Sequence, residues 1–295
     1  MSIDPIILGH NQFVGVDHLS QDRARDRIEH FSDTQKILDV ISYFYELGGR
    51  GMMLSTHQRA TEIMRAINSE TTLSKNMNFY PLIPYAQGYI RRANEMGMVG
   101  MLNDVLEPAS TSTKLKILLK GGINIMRKDF LNILSTLIDV ELLPFKGFNM
   151  KAVFLHNVLT DLALALKAQN IFEFYMDYIE DNFGATPAFG TMNFATLIKN
   201  FEEWGFKKPL IMASFNKIGF QMNPSREECE RCLKEYDVDV LAMSTLASGY
   251  LKPKEAYEYL YHLPNITSYV VGVSSREHAD EIFRHINNRE GFRKI

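Results

Sequence analysis

The sequence predicts an α/β protein folded as a (β/α)8 TIM barrel, and three observations carry that prediction. Eight short apolar runs recur along the 295 residues, helical periodicity follows most of them, and the runs are continuous rather than alternating. A continuous run means a strand covered on both faces, as parallel strands with crossover helices require. Eight such units suit one barrel of this length.

The first run is PIILG (5–9), and the stretch after it leads to a helix that Ser32 and Gln35 open as a capping box. Ile37, Val40, Ile41, Phe44 and Leu47 follow at helical spacing, and Gly48 can end that helix. GMMLS (51–55) and FYPLI (79–83) are the second and third strands. About 65 residues then separate the third run from the fourth, KAVFL (151–155). No linker rich in Pro, Ser or Gly bounds that stretch, so 86–150 reads as a helical insertion within a single domain spanning 1–295.

TPAFG (186–190) and PLIMA (209–213) come next. Ser225 with Glu228 starts a helix whose one face carries Cys229, Cys232, Leu233 and Tyr236. The Cys-x-x-Cys spacing also suits metal or redox chemistry, but a structural zinc needs two further ligands and no second such pair exists. VDVLA (238–242) and SYVVG (268–272) complete the eight strands. Ser274 with Glu277 opens the last helix, whose apolar face is Ala279, Ile282, Phe283 and Ile286.

Composition narrows the partners. The formal net charge is −3, and Lys and Arg are spread along the chain, so no basic stripe exists to meet nucleic-acid phosphates. No apolar run approaches the roughly 20 residues that span a bilayer, and the N-terminus has no basic region before its short apolar segment. The expectation is a cytoplasmic protein acting on a small molecule, with oligomeric state open.

Ligands of such barrels bind at the C-terminal ends of the strands. The residues just after the runs are polar but mostly uncharged: His10 and Asn11; Ser55, Thr56 and His57; Tyr85; His156 and Asn157; Thr191 and Asn193; Ser214, Asn216 and Lys217; Ser244 and Thr245; Ser274 and Ser275.

FGTMNF (189–194) resembles the G-x-S-N-F turn of the aldo-keto reductases. The similarity runs from about 151 to 285, through KKPLIMASFNKIGF and VDVLAMSTLASGYL to VVGVSSREHADEI. It implies NADP or NAD as cofactor, with Asn193 and Ser214 on the nicotinamide amide and Ser244, Leu246 and Gly249 along the diphosphate. Ser274 and Ser275, at a helix start with free N–H groups, are placed to receive a phosphate. Asn193 reads equally as an ordinary helix N-cap, and so does Ser274.

The chain departs from that family at the chemistry. The family protonates its substrate with a tyrosine set by a lysine and an aspartate, and a histidine orients the substrate. Here the second strand continues as STHQRA, without the family's D-[TS]-A-x-x-Y, and the third offers no lysine. His156 matches the family histidine.

Three functions remain open: an NAD(P)-dependent oxidoreductase with an altered acid–base set; a metal-assisted hydrolase or lyase using His10, His57 and His156; or a barrel that binds a small molecule without turnover. The candidate catalytic residues are His156, Tyr85 and His57, with Lys217 as a further electrophile.

Overall fold

The computed structural model describes residues 2–15, 21–56, 59–84 and 130–287. Its strands are β1 (Ile6–Leu8), β2 (Gly51–Ser55), β3 (Asn78–Ile83), β4 (Asn149–Met150), β5 (Ala152–Leu155), β6 (Thr186–Gly190), β7 (Leu210–Ser214), β8 (Asp239–Met243) and β9 (Ile266–Val271). Every pairing is parallel, and β1 bonds both β2 and β9, which closes the sheet on itself. β4 and β5 are one stave: both pair with β3, and Lys151 between them donates to Phe79 O and accepts from Thr186 N. The predicted eight-stave barrel is therefore the fold observed.

Eleven α-helices are described. They are α1 (Gln21–His30), α2 (Thr34–Glu46), α3 (Ala60–Ser69), α4 (Thr71–Asn76), α5 (Phe130–Glu141), α6 (Asn157–Ala165), α7 (Gln169–Phe183), α8 (Phe194–Glu203), α9 (Arg226–Glu235), α10 (Pro253–Tyr261) and α11 (Arg276–Asn287). The last part of the predicted 86–150 insertion belongs to the barrel itself. α5 is tied to α7 by Tyr178 OH donating to Asp139 at 2.5 Å, Phe145 and Phe148 pack on Phe79 of β3, and 149–150 begin the fourth stave. Residues 86–129 of that insertion, with Tyr85 and His57, lie outside the described residues.

Two shells of apolar side chains alternate along each strand, as the period of two dictates. Leu8, Leu54, Val153, Leu155, Phe189, Ile211 and Ala213 face the helices. Ile7, Met53, Tyr80, Leu82, Phe154, Ala188, Met212 and Leu241 fill the barrel interior. Asp4 closes the N-terminal end of the barrel, accepting from Tyr80 OH at 2.5 Å and from Asn78 Nδ2.

Two helix starts differ from the sequence reading by one residue. Asp33, not Ser32, caps α2 by accepting from Gln35 N, because Ser32 turns back to donate to Glu29 O at the end of α1. At α11 the side chain that accepts from His278 N is Ser275, not Ser274. Ser225 caps α9 as expected, at 3.2 Å from Glu228 N. Its Cys229 and Cys232 are buried free thiols, and burial pushes the Cys229 thiol up to about 12, so it stays protonated.

Candidate active site at the C-terminal mouth of the barrel

Because all staves run parallel, their C-terminal ends share one mouth. Continuing the inward parity by two residues gives the next ring above the apolar plug: Gly9 after Ile7, Ser55 after Met53, His156 after Phe154, Gly190 after Ala188, Ser214 after Met212 and Met243 after Leu241. Val270 also packs on the plug, and two residues on comes Gly272, where an added Cβ would first meet the Gln12 side chain. The ring thus combines three polar side chains, those of Ser55, His156 and Ser214, with Gly9, Gly190 and Gly272 and with Met243 and Pro84.

Several polar atoms there are buried without a protein partner. Among the described residues, Ser214 Oγ, Gln12 Nε2 and Thr56 Oγ1 find no hydrogen-bond partner, although Ser214 is 2% exposed and Gln12 6%. A partnerless buried hydroxyl or amide is costly, on the order of 1–3 kcal/mol, unless a ligand supplies the missing bond. The sequence reading singled out Ser214 and missed Gln12, which has no signature in the short 3-10 turn Asn11–Val14 where it sits.

His156 precedes α6 and caps it, its Nδ1 accepting from Val158 N at 3.3 Å. With Nδ1 accepting, the proton of the neutral ring is on Nε2, which becomes a donor. Burial lowers the His156 pKa, so the ring is neutral at pH 7. The sign for stability follows: the unfolded chain binds the proton more readily, so stability present above the ordinary histidine value of about 6.5 is lost as pH falls through it toward the folded pKa. His156→Asn is expected to flatten this part of the pH–stability curve in urea unfolding. His278, also lowered mainly by burial, contributes the same slope in parent and variant.

The turn after β6 is held by Asp161 of α6. Thr191 OH donates to Asp161 Oδ1 at 2.5 Å, Met192 N donates to Oδ2 at 3.0 Å, and Asn193 N donates to Thr191 Oγ at 2.8 Å. Burial raises the Asp161 pKa, and hydrogen bonds from Thr191, Met192 and Asn193 oppose the rise. Asn193 precedes α8 but its side chain makes no capping bond, so the N-cap alternative fails for that side chain.

The remaining candidates line the same rim. Ser244, Ala247 and Ser248 adopt left-handed backbone with Gly249, and this compact turn carries Leu246. Ser244 Oγ lies 3.5 Å from Gln221 Oε1. Lys217 is paired with Glu255 at 2.6 Å, both side chains about half exposed, which removes it as a free electrophile. Ser274 and Ser275 are exposed, and hydrogen bonding at the helix start holds the Glu277 carboxyl below the usual carboxylate range. An anion arriving at this helix start competes with that carboxylate.

His10 is 6% exposed, and its Nε2 is 2.7 Å from Ser55 Oγ. No group of three His, Cys, Asp or Glu side chains arranged to hold a metal occurs among the described residues. Among the same residues, no helix is long and apolar enough to cross a membrane.

No protein-family model matches the chain, and no curated protein matches it in sequence. Solved structures do match its fold. A putative aldo-keto reductase from Pseudomonas aeruginosa superposes with a TM-score of 0.57 at 12% identity, covering 97% of this chain and 90% of its own. An aldo/keto reductase from Brucella melitensis gives 0.52 at 11% identity, covering 98% and 93%. A Bombyx mori aldo-keto reductase, in complex with NADP, gives 0.50 at 10% identity, covering 98% and 89%. The chain therefore has an aldo-keto-reductase-like barrel fold.

Proposed function

We propose that this barrel is an NAD(P)-dependent oxidoreductase acting on a small carbonyl or alcohol. The observation that carries the reading is Ser214: a hydroxyl 2% exposed and without a partner, in a ring whose other inward positions include Gly190 and Gly272. An amide-bearing ring fits the unspent hydrogen bond of Ser214, and the glycines let a ligand approach the backbone closely. The fold neighbour that holds NADP supports the choice of ligand class.

On this reading Ser214 and Asn193 hold the nicotinamide amide. Backbone groups of the turn carrying Ser244, Leu246 and Gly249 meet the diphosphate, and Gly249 has no atom within 4 Å of an added Cβ. Gln12, beside Gly272, offers its free amide N–H to the same ligand. When bound, the dinucleotide supplies or accepts a hydride. His156 donates from Nε2 to the substrate oxygen and orients it, and the buried mouth keeps bulk water from the reacting carbon.

Calorimetric titration with NADPH and NADH tests the reading. Saturable binding of at least one, with a melting temperature raised in proportion to ligand excess, is the expected result. Heat signals absent for both dinucleotides, with no thermal shift, would reject it. Trp204 is unsuited as a probe of binding, since it follows α8 at the N-terminal end of the barrel, opposite the mouth.

A further inference from the structure

The proposed reaction needs a group that exchanges a proton with the substrate oxygen, and the tyrosine expected at the end of the second strand is absent. Ser55 occupies that strand end. It is the last residue of β2, in register with Leu82 of β3, two positions beyond Met53 on the inward parity. Thr56 next to it carries a buried hydroxyl without a partner, a second mark of a polar ligand at this stave.

Behind Ser55 lies His10, from the adjoining stave β1. The two are 6% and 4% exposed, the Nε2···Oγ distance is 2.7 Å, and Ser55 N is a weaker donor to the same nitrogen at 3.4 Å. The backbone N–H of Ser55 can only donate, which identifies Nε2 as the lone-pair nitrogen in this state, so Oγ–H also donates to His10. A hydroxyl with a buried imidazole at its back can pass a proton in either direction.

Among the described residues, the other titratable groups at the mouth have roles of their own, His156 Nε2 being the one that orients the substrate oxygen. His156 Nδ1 holds the start of α6, the Asp161 oxygens hold the 191–193 turn, and Lys217 is paired with Glu255.

We propose that Ser55 is the catalytic residue that exchanges the proton with the substrate oxygen, and that His10 is the positioning residue that holds and recharges its hydroxyl. The inference rests on the oxidoreductase reading. In alcohol oxidation the substrate C–H bond leaves as a hydride to the oxidised nicotinamide. The substrate O–H proton passes to Ser55 Oγ as the Ser55 proton passes to His10 Nε2, and the O–H electron pair becomes the new carbonyl bond. His10 then releases one proton to water. Reduction reverses each step: the carbonyl carbon gains the hydride, its oxygen takes the Ser55 proton, and Ser55 takes the proton of His10.

The test uses the full chain with NADPH or NADH and 4-nitrobenzaldehyde, phenanthrenequinone and xylose as probes, followed by nicotinamide absorbance. Ser55→Ala is expected to lower kcat by about 10²–10⁴-fold, the usual range for a lost acid–base group. Its dinucleotide Kd should stay near the parent value, while the melting temperature falls modestly with loss of the buried bond to His10. Ser55→Thr, which keeps the hydroxyl, is expected to recover most of kcat, and His10→Gln to lower kcat with KM little changed. A solvent deuterium effect on kcat should be present in the parent and lost in Ser55→Ala.

Turnover by Ser55→Ala within a few-fold of the parent overturns this inference and leaves the oxidoreductase reading standing. A Ser55→Thr variant as inactive as Ser55→Ala overturns it as well, since packing rather than the hydroxyl would then matter. A parent that binds neither dinucleotide, or binds one and reduces no probe, overturns the reading and this inference together.

Discussion

Replacing Ser214 with leucine is expected to weaken dinucleotide binding by at least about 100-fold, a change of roughly 2.7 kcal/mol. Ser214 ends β7 in register with Met243 of β8, and its hydroxyl has no protein partner to lose. The substitution therefore breaks no internal hydrogen bond, and its cost falls on whatever enters the mouth. The added carbons crowd the mouth at this position and remove the hydroxyl that is proposed to meet the ligand. Calorimetry with NADPH and NADH reads the loss, and circular dichroism confirms that the barrel persists. An unchanged Kd would show that the ligand lies elsewhere on the rim.

The second large effect belongs to Asp161. Asp161→Ala leaves the fully buried Thr191 hydroxyl and the Met192 N–H without their acceptor, at a cost of about 1–3 kcal/mol after allowance for the partial exposure of the carboxylate. A urea midpoint shifted downward at unchanged slope is the expected signature. Dinucleotide affinity should fall with it, because the same bonds fix the turn that ends at Asn193. Asp161→Asn keeps an oxygen for Met192 N and is expected to recover part of both losses. Equal stability of the alanine variant and the parent would mean the turn is held by its backbone alone.

These two residues mark where sequence reading succeeds and where it stops. Ser214 was legible because it ends a continuous apolar run, and strand ends in a parallel barrel meet at one mouth. Asp161 lies inside α6, five residues after His156, where nothing local distinguishes it from a solvated helix acid. Its partners Thr191 and Met192 are 30 and 31 residues away, and only the pairing of β5 with β6 brings them within reach.

The helix starts show the same limit at short range. Ser32 and Ser274 each head an S-x-x-E/Q pattern, yet Asp33 and Ser275 make the capping bonds. A one-residue change in where the backbone leaves its helical angles is set by what precedes the helix, here α1 and β9, and the pattern does not contain that information.

By itself, then, the order of apolar runs and helical periods determined a closed parallel barrel with one polar mouth, because strand burial and helix amphipathy are written in spacings of two and of three to four residues. Only the tertiary structure decided which polar groups spend their hydrogen bonds on one another, as His10 does with Ser55 and Asp161 with Thr191, and which, like Ser214 and Gln12, have no partner among the described residues. The physical reason is that satisfaction of a buried polar atom depends on atoms within about 3 Å, and those atoms come from staves that chain order alone does not bring to that distance.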